Sequence, residues 1–145
     1  DRVIDGINLL PILRGESNNV CDRRFWQWNR YTPVKECNAA IRDGDWKLIF
    51  PTIPEAMQVF DGEWLEVCMY DYEYFVEHGI VEDSDPERAI PEPGQPELYN
   101  IVADPEERFN LAQEQTKRVH SMKLALENWF EEVEAERKGL ESHHS

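Results

Sequence analysis

The stretch AAIRDGDWKLIF, residues 39–50, constrains the fold more than any other part of the chain. Two apolar runs flank Asp43-Gly44, and such a pair between strand-like runs predicts a two-residue β-hairpin loop, because both residues tolerate positive φ. With that loop, Arg42 opposes Asp45 and Ile41 opposes Trp46. Successive strand residues point to opposite faces, so we expect one apolar and one mixed face. The apolar face would carry Ala39, Ile41, Trp46, Leu48 and Phe50, and the mixed face Ala40, Arg42, Asp45, Lys47 and Ile49.

Further strands and a long helix are predicted around this hairpin. Residues 23–31, RRFWQWNRY, and 97–101, ELYNI, favour strands, and residues 5–15 favour a short helical turn. Apolar side chains from Val119 to Val133 repeat with the helical period, which predicts a C-terminal helix with Thr116 as its N-cap and Gly139 as the residue after its end. We therefore expect an α+β fold, a small antiparallel sheet of about four strands packed by that helix. The helix stripe comprises Val119, Met122, Leu126, Trp129 or Phe130, and Val133.

Composition narrows the possible partners. The 145 residues, 41% of them apolar, suffice for one domain with a real core. The net charge of −15 argues against nucleic acid and anionic membrane as partners, and no apolar run approaches the roughly 20 residues of a membrane span. The three cysteines, Cys21, Cys37 and Cys68, fit no zinc motif, and their number leaves at least one thiol free. Their disulfide state stays open, as does a periplasmic, secreted or cytoplasmic location.

Candidate site residues are few. Ser84–Arg88, SDPER, fits the loose formylglycine pattern S-x-P-x-R, but Glu87 replaces the small residue before the arginine, so a solvated acidic loop is favoured. The acids in and near that loop form no calcium motif, and the histidines form no metal motif. Trp26, Trp28 and Arg30 could bind a sugar or sulfate ester, since rings stack and guanidinium groups hold oxyanions. The alternative is that the two tryptophans only pack.

The order of three motifs resembles the C-terminal region of arylsulfatase-like sulfatases, in the alkaline phosphatase superfamily. The family pattern is approximately D-G-x-S-L-x-P-L-L-x-G, then A-V-R-x-G-x-W-K-L, then E-L-Y-N-L-x-x-D-P-x-E-x-x-N-L-A. Residues 5–15, 40–48 and 97–112 correspond to these motifs, whereas residues 52–92 match nothing and indicate an insertion. The matching positions are Asp5, Gly6, Leu10, Pro11, Leu13 and Gly15, then Ala40, Arg42, Gly44, Trp46, Lys47 and Leu48, then Glu97, Leu98, Tyr99, Asn100, Asp104, Pro105, Glu107, Asn110, Leu111 and Ala112.

The resemblance implies that the chain, residues 1–145, is a sulfatase C-terminal subdomain, and its abrupt opening without Met agrees with a fragment. In that family the formylglycine nucleophile and the calcium ligands belong to a larger N-terminal domain, so no catalytic residue, metal or cofactor is expected in this fragment. Its partner would be that catalytic domain. The motif residues are expected to be a structural signature, chiefly Arg42, Gly44, Trp46, Lys47, Leu98, Tyr99, Asp104 and Asn110.

Two alternatives stay open. One is a non-catalytic interaction module with the same fold, which would use the insertion at 52–92 as its binding surface. The other is a piece of a related phosphohydrolase or phosphonate hydrolase. Without a catalytic domain, we also expect apolar surface and possible self-association around Ile7, Leu10, Phe25 and Trp26.

Overall fold

The residues that the structure describes form one antiparallel sheet of four strands, in the order β1-β2-β3-β4, covered by a long C-terminal helix. This confirms the predicted α+β class. The computed structural model describes residues 8–17, 23–58, 73, 77–78 and 87–141. The elements among them, in chain order, are α1 (Leu10–Leu13), β1 (Arg23–Gln27), β2 (Ala39–Asp43), β3 (Trp46–Phe50), α2 (Pro54–Met57), β4 (Glu97–Asn100) and α3 (Thr116–Glu141).

The β2–β3 hairpin is present, but its loop is Gly44-Asp45 and not Asp43-Gly44. Asp43 pairs with Trp46 across the loop, and Arg42 pairs with Lys47. Gly44 has φ +59° whereas Asp45 is not among the residues with positive φ, which is the pattern of a type II′ turn with glycine first. The predicted pairing of Arg42 with Asp45 is therefore wrong. The loop moved by one residue and the pairing by two, so every side chain keeps its predicted face.

The inner face of the sheet forms the core with α3. Ile41, Leu48 and Leu98 lie across three neighbouring strands and are fully buried. Helix α3 covers them with Met122 and Leu126, which are each 3% exposed. The predicted apolar face of the hairpin thus packs beneath the helix, as the alternation required.

At the edges of this core the packing is aromatic. Phe25 on β1 stacks on Trp129 of α3, with ring centroids 5.2 Å apart and planes 5° from parallel. Trp46 is half-buried at the other end of the helix, and the guanidinium of Arg118 lies 4.3 Å from its ring centroid. Phe25 is thus packed, contrary to its predicted place in an exposed apolar patch, whereas Leu10 is 46% exposed and Ile7 lies outside the described residues.

Helix α3 departs from its prediction at the C-terminal end. It continues through Gly139, where an added Cβ would meet nothing within 4 Å. The predicted stripe also ends early, because Val133 is 41% exposed and the neighbouring Glu134 is buried. Both Glu134 carboxylate oxygens accept hydrogen bonds from the Arg137 guanidinium, so the buried acid is paired.

Candidate functional site

The outer face of the sheet, opposite α3, carries a row of three cations that the register sets side by side. Arg24 on β1 lies opposite Arg42 on β2, and Arg42 lies opposite Lys47 on β3. Tyr99 of β4 completes the row. Like charges directly opposite one another repel, so this row is unfavourable for the sheet unless something compensates for it. It is also an unusual place for positive charge in a chain of net charge −15.

A second row on the same face begins with an exposed aromatic ring. Trp26 on β1 is 48% exposed and lies opposite Ala40 on β2, which in turn lies opposite Ile49 on β3. Trp26 and Arg42 are consequently diagonal neighbours, a separation that aromatic and long side chains bridge. The small Ala40 leaves space between them.

These two rows and the loop after β4 border an open groove of about 430 Å³. Its volume falls in the range of small-molecule sites, about 300–1,000 Å³. We call it the outer-face groove, and its lining residues are Trp26, Ala40, Arg42, Lys47, Ile101 and Glu107.

The two cations of the outer-face groove are held differently. Lys47 Nζ contacts Glu107 Oε1 at 2.7 Å, which neutralises one charge of the row. Arg42 donates its Nε–H to the carbonyl oxygen of Gly44 at 3.1 Å, so the side chain is fixed over the hairpin loop by a neutral group. Among the residues that the structure describes, Arg42 has no carboxylate partner. Its guanidinium therefore keeps a full positive charge beside the exposed ring of Trp26.

Tyr99 closes the cation row and does not act as an acid there. Its hydroxyl donates a hydrogen bond to Glu97 Oε2 at 2.9 Å. Burial raises the pKa of the Tyr99 hydroxyl, and the hydrogen bond to the Glu97 carboxylate raises the pKa further. Tyr99 stays protonated at neutral pH and engages the Glu97 carboxylate.

Trp28 and Arg30, the other predicted ligand-binding residues, contact each other beyond the end of β1. The Arg30 guanidinium carbon lies 4.7 Å from the centroid of the Trp28 ring, a cation–π contact, and Trp28 is 54% exposed. Neither residue lines the outer-face groove. The structure therefore separates the predicted trio, with Trp26 in the groove and the other two on the adjoining loop.

The polar side chains of the motif at 97–112 accept hydrogen bonds from the backbone. Asn110 Oδ1 accepts hydrogen bonds from the amides of Leu98 and Ala112, and the Leu111 amide bonds to the Leu98 carbonyl. Asp104 Oδ2 accepts from the Phe109 amide at 2.8 Å. The loop thus folds back along β4 and pairs with the edge of the sheet that would otherwise lie open.

Arg88, the last residue of the SDPER motif, has a structural role. Arg88 donates hydrogen bonds to the carbonyl oxygens of Arg30, Ala56 and Thr32, at 3.0–3.1 Å. It holds the loop after β1 against α2, beside a small second core of Cys37, Ile53 and Ala56. Ser84 lies outside the described residues.

A cluster of acids and lysines between α3 and the loop before β2 was not predicted. Glu36 accepts a hydrogen bond from Lys123 Nζ at 2.8 Å, and Lys35 contacts Glu131 at 2.9 Å. The hydrogen bond that the Glu127 carboxyl donates to Glu36, together with burial, raises the pKa of Glu127. Burial opposes ionisation of Glu36, but hydrogen bonds from Lys123 and Glu127 outweigh it and lower the Glu36 pKa. As the pH falls, Glu127 is therefore protonated before Glu36.

No three histidine, cysteine or acidic side chains converge to hold a metal ion within the parts of the chain that the structure describes. In those same parts, no helix is both long and apolar enough to cross a bilayer. The buried Cys37 is a free thiol, whereas Cys21 and Cys68 are outside the described residues. The chain matches no protein-family model and no curated protein.

Proposed function

We propose that this chain is the non-catalytic C-terminal subdomain of a sulfatase. The parent enzyme would hydrolyse sulfate esters with formylglycine and calcium held in an N-terminal domain outside this chain. The catalytic domain is then the principal partner of the fragment. Because the resemblance implies that the nucleophile and the calcium ligands belong to that N-terminal domain, no chemical step is assigned to this chain.

One observation carries the proposal: two of the resembling motifs form a single structural unit. The hairpin motif supplies Lys47, the 97–112 motif supplies Glu107, and the two side chains meet at 2.7 Å although they are 60 residues apart in sequence. β3 and β4, from the same two motifs, pair directly. Motifs that match in order and also assemble into one sheet support a shared architecture more strongly than isolated matches.

The test is activity of the open reading frame that contains this segment, compared with the 145-residue chain alone. We expect the full-length protein to hydrolyse an aryl sulfate in the presence of calcium, and mass spectrometry to find formylglycine in a C-x-P-S-R or S-x-P-S-R motif upstream of residue 1. The isolated chain should be inactive.

The same assay separates the rival functions. Hydrolysis of a phosphate or phosphonate ester, without turnover of the aryl sulfate, would assign the parent to a related phosphohydrolase. A reading frame with no catalytic motif and no hydrolysis would refute the sulfatase proposal and leave the interaction module. Turnover by the isolated chain that is lost in Ser84→Ala would also refute it, because the nucleophile would then lie in this chain.

A further inference from the structure

We infer that the outer-face groove binds an acidic sugar, whose ring stacks on Trp26 and whose anionic group is held by the Arg42 guanidinium. This inference rests on the geometry of the outer sheet face and does not depend on the parent being a sulfatase. The anionic group is a sulfate or a carboxylate, which share the oxygen geometry that guanidinium recognises.

The aromatic side of the site is Trp26. About half of its surface is exposed, and it stands on the outer face, which no helix among the described residues covers. An exposed indole presents a flat apolar platform with a polar N–H at its edge, which suits a ring that is apolar on its faces and polar at its rim. Ala40 lies beside it and keeps the floor of the groove low enough for a ring to enter.

The charged side of the site is Arg42. Its Nε–H is committed to the Gly44 carbonyl, which orients the guanidinium, and its terminal N–H groups make no hydrogen bond to the residues that the structure describes. A planar guanidinium binds two oxygens of one carboxylate or sulfate with parallel hydrogen bonds. Arg24, exposed and directly opposite on β1, adds a second positive charge. An anion in the groove would also relieve the repulsion between these like-charged neighbours.

The charge distribution sets the size of the ligand. Carboxylates Glu97 and Glu107 border the cations and are engaged by Tyr99 and Lys47, so favourable potential is confined to the arginine end of the groove. A polyanion such as nucleic acid would extend past it over a surface of net charge −15, and repulsion acts over a Debye length of about 8–10 Å. A monosaccharide or short oligosaccharide with one or two anionic groups fits the patch.

The experiment is a titration of the isotope-labelled 145-residue chain, followed by the indole N–H signal of Trp26 in NMR spectra and by calorimetry. The probes are glucose 6-sulfate, glucuronate, glucose, inorganic sulfate and adenosine monophosphate. We expect the first two to shift the Trp26 signal, and the tighter of the two identifies the preferred anion. Glucose and inorganic sulfate should bind at least about tenfold more weakly, since each keeps only one of the two contacts.

Four variants and two controls complete the test. Trp26→Ala and Arg42→Gln should each weaken binding at least about tenfold, and Arg42→Lys should restore only part of it, because lysine lacks the planar fork. Ala40→Leu should block the groove while leaving both contact residues in place. Trp28→Ala removes an exposed tryptophan outside the groove, and Lys117→Gln removes an exposed cation on the helix side of the sheet. Both control variants should therefore bind the acidic sugars as tightly as the unsubstituted 145-residue chain does.

Several results would overturn the inference. They are equal affinity for glucose and glucose 6-sulfate, tighter binding of the nucleotide than of either acidic sugar, binding that survives Ala40→Leu, or binding that Trp28→Ala abolishes. Loss of binding in Arg42→Gln supports the inference only if the amide spectrum of the variant stays dispersed, which shows that it is folded. If Arg42→Gln does not fold, binding by Ala40→Leu decides whether the groove is the sugar site.

Discussion

Replacing Asn110 with alanine tests whether the 97–112 motif is structural. Asn110 Oδ1 accepts two hydrogen bonds, one from the part-buried amide of Leu98 at 3.1 Å and one from the exposed amide of Ala112 at 2.9 Å. Leaving a buried donor without a partner costs about 1–3 kcal/mol, and an exposed amide that turns to water costs about 0.5–1 kcal/mol. We therefore expect Asn110→Ala to lower the free energy of unfolding by about 2–3 kcal/mol.

Asn100 is a matched control in the same loop. Its Oδ1 also accepts two backbone amides, those of Val102 and Ala103, but both residues are exposed. Asn100→Ala should therefore cost about 1 kcal/mol or less. Urea melts of the two variants measure the difference, and hydrogen exchange at the Leu98 amide should rise in Asn110→Ala only. Equal losses in the two variants, or a protected Leu98 amide in Asn110→Ala, would refute this account of the motif.

Two further predictions concern the hairpin and the carboxyl pair. Trp46→Ala should destabilise the chain by about 2–3 kcal/mol in urea melts, below the 3–5 kcal/mol of a fully buried ring, because Trp46 is only half-buried. Lys47→Ala should lower the free energy of unfolding by less than about 1 kcal/mol, because the ion pair of Lys47 with Glu107 is partly exposed and the substitution also removes the repulsion between Lys47 and Arg42. Equal losses in Trp46→Ala and Lys47→Ala would contradict the faces assigned to the two residues. Glu127→Gln should stabilise the chain at pH 7, because the raised pKa of Glu127 means that the folded state favours the neutral side chain. The stabilisation should disappear below pH 4.5, where Glu127 is neutral in the unfolded chain as well. Thermal melts of both chains across pH 3–8 measure this, and a constant difference in stability would contradict it.

The sequence predicted the sheet and its two faces because alternation is a local signal. Ile41 and Leu48 lie on the apolar face with the predicted loop and also with the observed loop. A shift of two residues in strand pairing leaves every side chain on the same face of the sheet. The loop itself was mispredicted because the choice between Asp43-Gly44 and Gly44-Asp45 depends on which position takes positive φ. Only the structure shows that Gly44 comes first in the loop.

What the sequence could not give is the long-range pairing of charges. Arg42 was predicted to oppose Asp45 across the hairpin, yet it lies opposite Lys47, and Lys47 pairs with Glu107, 60 residues later in the chain. The end of α3 was mispredicted for a different reason. Glycine costs a helix only about 1 kcal/mol relative to alanine, so Gly139 does not by itself end α3, which continues through it to Glu141.

The positions that carry the family resemblance and the positions that form the outer-face groove overlap only in part, and this separates the two proposals. Asn110, Asp104 and Leu98 hold the loop and core, so a chain that keeps them keeps the architecture whatever chemistry its parent performs. Trp26 belongs to none of the three motifs, and it supplies the apolar half of the proposed sugar site. A sulfatase parent would therefore not guarantee a sugar site here. Conversely, an acidic sugar bound beside Trp26 would not by itself make the parent a sulfatase, because Trp26 can be changed without altering any motif residue.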